Sequence, residues 1–140
     1  MRNVLKSACA LLALAACAQE QQSELAGRWE VQQIAGASLG EGVDIWIEFD
    51  QEGEAVSGFT GCNTFTTTAS LFETSISFAP AVEAEGACAT EAAATDEARF
   101  LGVLPSVQRY IIRGNSLELL QAPSGSEDLL RLRRVQAPAE

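Results

Sequence analysis

The chain has 140 residues, with 9 basic and 19 acidic side chains, no histidine, four cysteines and a single tyrosine. That length holds one domain with a real core and not two. A formal charge of −10 repels nucleic acid, and none of the basic-patch signatures of nucleic-acid binders is present.

The first residues, MRNVLKSACALLALAACAQE, set Arg2 and Lys6 ahead of an apolar Leu/Ala run that stops at Cys17. This is the layout of a secretory signal, and the run is too short to cross a bilayer as a permanent helix. Leu14-Ala15-Ala16-Cys17 resembles the bacterial lipobox, in which the cysteine is lipidated and becomes the first residue after cleavage. Residues 1–16 are therefore expected to be a lipoprotein signal peptide and Cys17 the lipidation site. At about 0.8 kcal/mol per buried CH₂, the two or three acyl chains typical of such proteins hold them on a membrane essentially for good. Ala18 stands where a retention signal would carry Asp, so the resemblance to sorted lipoproteins implies the outer membrane, facing the periplasm. Cleavage removes two cations and no acid, leaving 7 arginines against 19 acidic groups, a formal charge of −12. Imidazole and lysine chemistry are then both excluded.

Residues 17–24 read as the lipidated tether, since Gln19–Glu24 is polar without apolar period. A domain over 25–135 follows, and residues 136–140 read as a flexible tail. Period-two alternation dominates the domain: Val43, Ile45, Ile47 and Phe49 share one face of a strand, with Asp44, Trp46, Glu48 and Asp50 on the other. DQEGEA is the turn into a strand over 55–60. Further strands are predicted over 28–34, 65–71, 75–78, 108–113, 116–120 and 129–134, with Gly114-Asn115 as a tight hairpin turn. The segment TEAAATDEARFLGVL, residues 90–104, breaks the pattern. It is rich in Ala and Glu, sets Phe100, Leu101 and Leu104 on one face, and stops before Pro105. The expected fold is mainly β with one packed helix, a small antiparallel curved sheet or partly open barrel of about seven to eight strands.

If Cys9 leaves with the signal and Cys17 is lipidated, Cys62 and Cys88 are the only thiols left. Outside the inner membrane such a pair tends to oxidise, so a disulfide is expected. The competing readings are a zinc site, which without histidine would need both thiolates plus two acidic groups, and a catalytic thiol, which lacks a base. Neither a metal nor a cofactor is expected.

Four blocks carry a family resemblance. They are Leu25-x-Gly27-x-Trp29, Val56-x-Gly58-x-x-Gly61-Cys62-Asn63-x-Phe65, Ala87-Cys88 with Glu97-x-x-Phe100, and Tyr110-x-Ile112-x-Gly114-Asn115-x-Leu117-x-Leu119. Together they resemble the META domain, also called the HslJ-like family. The resemblance implies a small antiparallel β-structure with a packed helix, common in bacterial envelope lipoproteins, and links to heat-shock or antibiotic-tolerance phenotypes without a defined activity. Thr64 stands where an Arg commonly follows the Asn, and Glu85-Gly86 where a Thr-Arg type segment is common.

The blocks have structural readings of their own. Gly58 and Gly61 permit a positive φ or a close backbone approach, Asn63 suits a left-handed corner, and Trp29 and Phe65 are core anchors. Glu97 shares the face of Phe100 and Leu104 and needs a partner, for which Arg28, the Trp29 indole and the Asn63 amide are the candidates. Asp50, Glu52 and Glu54 read as a solvated hairpin, since the segment lacks the length of a calcium loop. No nucleophile–base set is visible, so the protein is expected not to be an enzyme. Trp46, on the polar side of its strand, marks a possible partner surface. The expected function is an outer-membrane lipoprotein for envelope maintenance or stress tolerance, acting through contacts with an unknown envelope protein or small ligand. The alternative is a barrel that carries a small apolar ligand or acyl chain.

Overall fold

A computed structural model describes residues 24–121 and 128–136. The signal, the lipidation site Cys17 and most of the tether and tail lie outside the described residues.

Among the described residues ten strands form one antiparallel sheet: β1 (Gly27–Ile34), β2 (Ala37–Ser38), β3 (Trp46–Phe49), β4 (Ala55–Phe59), β5 (Thr64–Phe72), β6 (Ser75–Phe78), β7 (Val82–Glu83), β8 (Arg109–Arg113), β9 (Ser116–Leu120) and β10 (Asp128–Arg134). Eight of them run in the order β10-β9-β8-β6-β5-β4-β3-β1, and β1 pairs back onto β10. The barrel is therefore closed, with Trp29 opposite Arg134 and Ile34 opposite Leu130 at the closing seam. β2 adds to β1 and β7 to β5 as extra strands. Closure leaves few edges to protect, which suits a small all-β domain.

The alternation read in the sequence is what fills the barrel. Trp29, Val31, Ile34, Ile47, Phe49, Val56, Phe65, Ala69, Ile76, Leu117, Leu119, Leu130 and Leu132 are buried and make one core. Most of their strand neighbours are at least partly exposed, while Leu129 and Leu120, next to Leu130 and Leu119, are buried as well. The weakest contact between neighbouring strands is β6 with β8, which share one register pair, Ser75 opposite Arg109. A bulge between Val31 and Gln33 in β1 and another between Asp128 and Leu130 in β10 add the local twist that closing a small barrel demands.

The helix α1 (Glu91–Val103) starts on Thr90, whose side chain accepts from the Ala93 amide, and runs into a 3₁₀ turn (Leu104–Ser106) with Pro105 inside it. It stoppers the barrel end where β1 and β4 finish and β5 begins. Phe100 reaches the core and packs its ring 5.5 Å from that of Phe65. Asp96 is the more buried of its two neighbouring carboxylates. Its Oδ2 accepts from the Gly40 amide at 2.6 Å and its Oδ1 from Arg99 at 2.7 Å, while Arg99 also donates to the Ile34 carbonyl at 2.7 Å. One ion pair thus ties the helix to the end of β1 and the loop after β2. The opposite end is closed by the entering chain: Leu25 is fully buried, and its carbonyl accepts from the Trp29 indole at 2.8 Å.

Candidate functional site

The Gly61-Cys62-Asn63 block lies in the corner between β4 and β5. Thr60 builds that corner: its amide donates to the Asn63 carbonyl at 2.9 Å, and its hydroxyl oxygen accepts from the Asn63 amide at 3.0 Å. Gly61 adopts φ +94°, a region that costs glycine little and other residues much. Gly58 answers a different need, because a Cβ there would lie 2.3 Å from the Trp46 carbonyl oxygen and 2.5 Å from the Phe65 ring. Phe65 is buried against that glycine, as its block implied.

Cys62 and Cys88 are joined as a disulfide, with Cα atoms 4.7 Å apart and a sequence separation of 26. Beside the bridge, the Asn63 side-chain amide donates to Glu97 Oε2 at 3.1 Å and to the Gly86 carbonyl at 3.4 Å. A Cβ on Gly86 would come 2.7 Å from Asn63 Oδ1, so the glycine is what lets the 84–90 loop close on the corner. The Thr60 hydroxyl donates to the same Glu97 oxygen in a short contact. The other oxygen, Glu97 Oε1, faces Cys88 Sγ at 3.9 Å. Strand corner, loop and helix therefore meet at one cluster: Thr60, Cys62, Asn63, Cys88 and Glu97.

Of the three partners considered for Glu97, the Asn63 amide is the one the fold provides. Arg28 lies on the outer wall, 2.8 Å from Glu48, and the Trp29 indole is used by Leu25. Glu83, on β7, has its carboxyl raised above the usual range by burial and then by the charge of Glu97. Sequence reasoning missed Thr60, Asp96 and Arg99. The Asp96-x-x-Arg99 spacing was a visible helical pair signal, whereas nothing marked Thr60 apart from the other threonines.

A hydroxyl against a carboxylate is also what a nucleophile and its base would look like. Thr60 is fully buried, however, so no substrate reaches its oxygen and the contact fixes the corner. The Asp50 hairpin is a turn of its own: Asp50 Oδ1 accepts from the Glu54 amide at 2.8 Å, leaving Glu52 and Glu54 exposed. Trp46 stands on the outer wall opposite Glu30 and Phe59, partly exposed, with the Arg28 guanidinium stacked 3.7 Å from its ring centroid.

A closed antiparallel barrel with one helix locked to it through a disulfide-bearing corner defines a small β-barrel module. Residues 21–136 match the META domain, and the chain belongs to the META domain family. Two solved NMR structures share the fold. One, of a protein from Burkholderia xenovorans, is 19% identical over 86% of this chain and 88% of that one, with a TM-score of 0.65. The other is 16% identical over 83% and 93%, with a TM-score of 0.60. No curated protein matches the sequence.

Proposed function

We propose that this META-domain protein is a non-enzymatic, HslJ-like lipoprotein, anchored through Cys17 to the outer membrane and facing the periplasm. On this reading it serves envelope maintenance or stress tolerance by contacts on its outer wall. The lipobox supports the anchor. The observation that carries the contact reading is Trp46: a large aromatic, backed by a stacked arginine and flanked by Phe59, on the outside of a closed wall. Trp and Arg are the residues that most often dominate protein interfaces. The interior is filled by Trp29, Phe65, Phe100 and branched aliphatics at 0–1% exposure, which disfavours carriage of an apolar guest inside the barrel. The contact of the fully buried Thr60 with Glu97 likewise supports a structural site over a catalytic one.

The test is a photo-crosslinking residue at position 57, on the exposed outer wall beside Trp46, in living cells, alongside intact mass of the membrane-extracted protein. Discrete adducts to an envelope protein, competed by excess wild type but not by Trp46→Ala, together with an acylated mass starting at Cys17, are expected. An unlipidated mass would remove the anchor; no competed adduct would remove the contact surface; a co-purifying acyl chain would restore the carrier reading.

A further inference from the structure

We propose that the disulfide corner is a redox-gated metal site: once reduced, the Cys62 and Cys88 thiolates and the Glu97 carboxylate bind one zinc ion. The fold brings one of the two acidic groups such a site would call for and leaves the fourth position to water. Without histidine, zinc needs carboxylates beside the two sulfurs, and α1 delivers one. The two Sγ atoms and a Glu97 oxygen lie within 4.8 Å of one another, and all three residues are partly exposed.

The carboxylate is held as a ligand carboxylate is held. Its Oε2 takes hydrogen bonds from Thr60 and Asn63, and its Oε1 is left facing Cys88 Sγ. Outer hydrogen bonds of this kind orient metal ligands and sharpen affinity. Glu97 also lacks a cation: among the described residues five of the seven arginines pair with Glu48, Asp96, Glu118, Asp128 and Glu30, Arg134 donates to backbone carbonyls, and neither Glu97 nor Glu83 is in an ion pair. An unpaired Glu97 carboxylate beside two potential thiolates, with the like charge of Glu83 acting on it, forms a local field that attracts a divalent cation. Two sulfurs and an oxygen, with a fourth position open to water, is a donor set zinc accepts, and thiolate favours it over magnesium or calcium.

The step balances. A dithiol reductant gives two electrons and two protons to the Cys62–Cys88 bond and is itself oxidised to a disulfide. Zinc then displaces both thiol protons to solvent and bonds to the sulfurs and to Glu97. With Zn–S bonds of about 2.3 Å in a tetrahedral site, the sulfurs settle about 3.8 Å apart. Cys88 can move that far, because residues 84–90 lie outside regular strand and helix. The proposal does not depend on the lipid anchor or on a partner.

The experiment uses the full chain in detergent with Cys9→Ser and Cys17→Ser, so that only the pair can supply thiolates. The chain is reduced with a phosphine and titrated with zinc chloride against a chromophoric chelator, with near-ultraviolet circular dichroism to follow the packing. Expected are one zinc per reduced chain, binding at least about 100-fold weaker in the oxidised chain, and a loss of about 10-fold or more in Glu97→Gln. Cobalt(II) in place of zinc should show thiolate-to-metal absorption in reduced wild type and not in Cys62→Ser/Cys88→Ser. Reduced wild type binding zinc no tighter than that double variant, an unchanged Glu97→Gln, or loss of native dichroism in the reduced, zinc-loaded chain would each overturn the proposal.

Discussion

Two glycines in this barrel should respond to the same substitution with opposite sign. Local propensity alone would have alanine improve both, since glycine is costly within strands and helices alike. At Gly58 the added Cβ would lie 2.3 Å from the Trp46 carbonyl oxygen and 2.5 Å from Phe65 Cε1. The first of these is backbone, held in the β3–β4 ladder by the pairing of Ile47 with Gly58, and cannot rotate away. Overpacking of a core costs about 1–3 kcal/mol, and with backbone and ring both in the way Gly58→Ala should lie near about 3 kcal/mol. For a domain of this size each kcal/mol moves Tm by about 4 °C, so a drop of about 12 °C is expected. At Gly102, on the exposed face of α1, the new Cβ meets nothing within 4 Å. Near a helix end Gly→Ala should gain about 0.5 kcal/mol, roughly 2 °C. Thermal melts of the two variants with the disulfide intact decide the matter. If Gly58→Ala melts within about 2 °C of wild type, the close-approach account of that glycine is wrong.

Removing the bridge with Cys62→Ser/Cys88→Ser should cost about 3.5 kcal/mol in the chain-entropy account of a loop of this length, read by urea unfolding; added zinc should raise Tm of reduced wild type and leave the double variant unmoved. Tyr110 is the single tyrosine, so absorbance of the phenolate reports it alone. Burial, and then the charge of Glu24, raises its phenol above the ordinary value. The folded state therefore keeps its proton where the unfolded chain has lost it: the stabilisation is full below about pH 10 and fades as pH rises through the folded midpoint. An alkaline titration of the native protein should give a midpoint above that of the urea-unfolded chain, and coincident midpoints would refute the burial argument. Arg99→Ala strands the buried Asp96 carboxylate and should cost about 3 kcal/mol, whereas Arg28→Ala on the exposed Glu48 pair should cost about 0.5 kcal/mol; equal losses in urea unfolding would count against Asp96 as the helix lock.

Strand positions were legible because half-buried strands write their burial in period two, and β5, β6 and β9 fall within a residue of their predicted bounds. β2 and β7 were not, since two-residue strands carry no period and are made by their partners. Barrel closure was equally silent: the pairing of β1 with β10 joins segments about a hundred residues apart and depends on shear, which no local pattern records. The helix was readable from its composition, but its deepest carboxylate was not. Phe100 and Leu104 pointed to Glu97, which is half-buried, while Asp96 goes under because the Gly40 amide and Arg99 await it. The disulfide followed from counting cysteines and compartment. That Glu97 would lie against it could not, because the cluster gathers a strand corner, a loop and a helix.

The two ends of the barrel differ in what holds them, and that difference bears on the anchor. Glu24 enters beside Tyr110 and the end of β10, where Arg134 donates to the Ala26 carbonyl at 2.9 Å and stacks over Trp29. The disulfide corner and α1 lie at the other end, where β4 finishes and β5 begins. Seven Cα-to-Cα steps lead from Cys17 to Glu24, a reach of at most about 25 Å even when extended. If Cys17 carries lipid, the end where Glu24 enters is the one held toward the bilayer, and the corner points into the aqueous space. A reductant or a metal ion would then reach the half-exposed Cys62–Cys88–Glu97 cluster without crossing the lipid. In a Cys62→Ser background, thiol labelling of Cys88 by a bulky, membrane-impermeant maleimide should accordingly proceed at the same rate in the vesicle-bound lipidated protein as in the chain that also carries Cys9→Ser and Cys17→Ser, and a several-fold slower rate on vesicles would show the barrel lying the other way up.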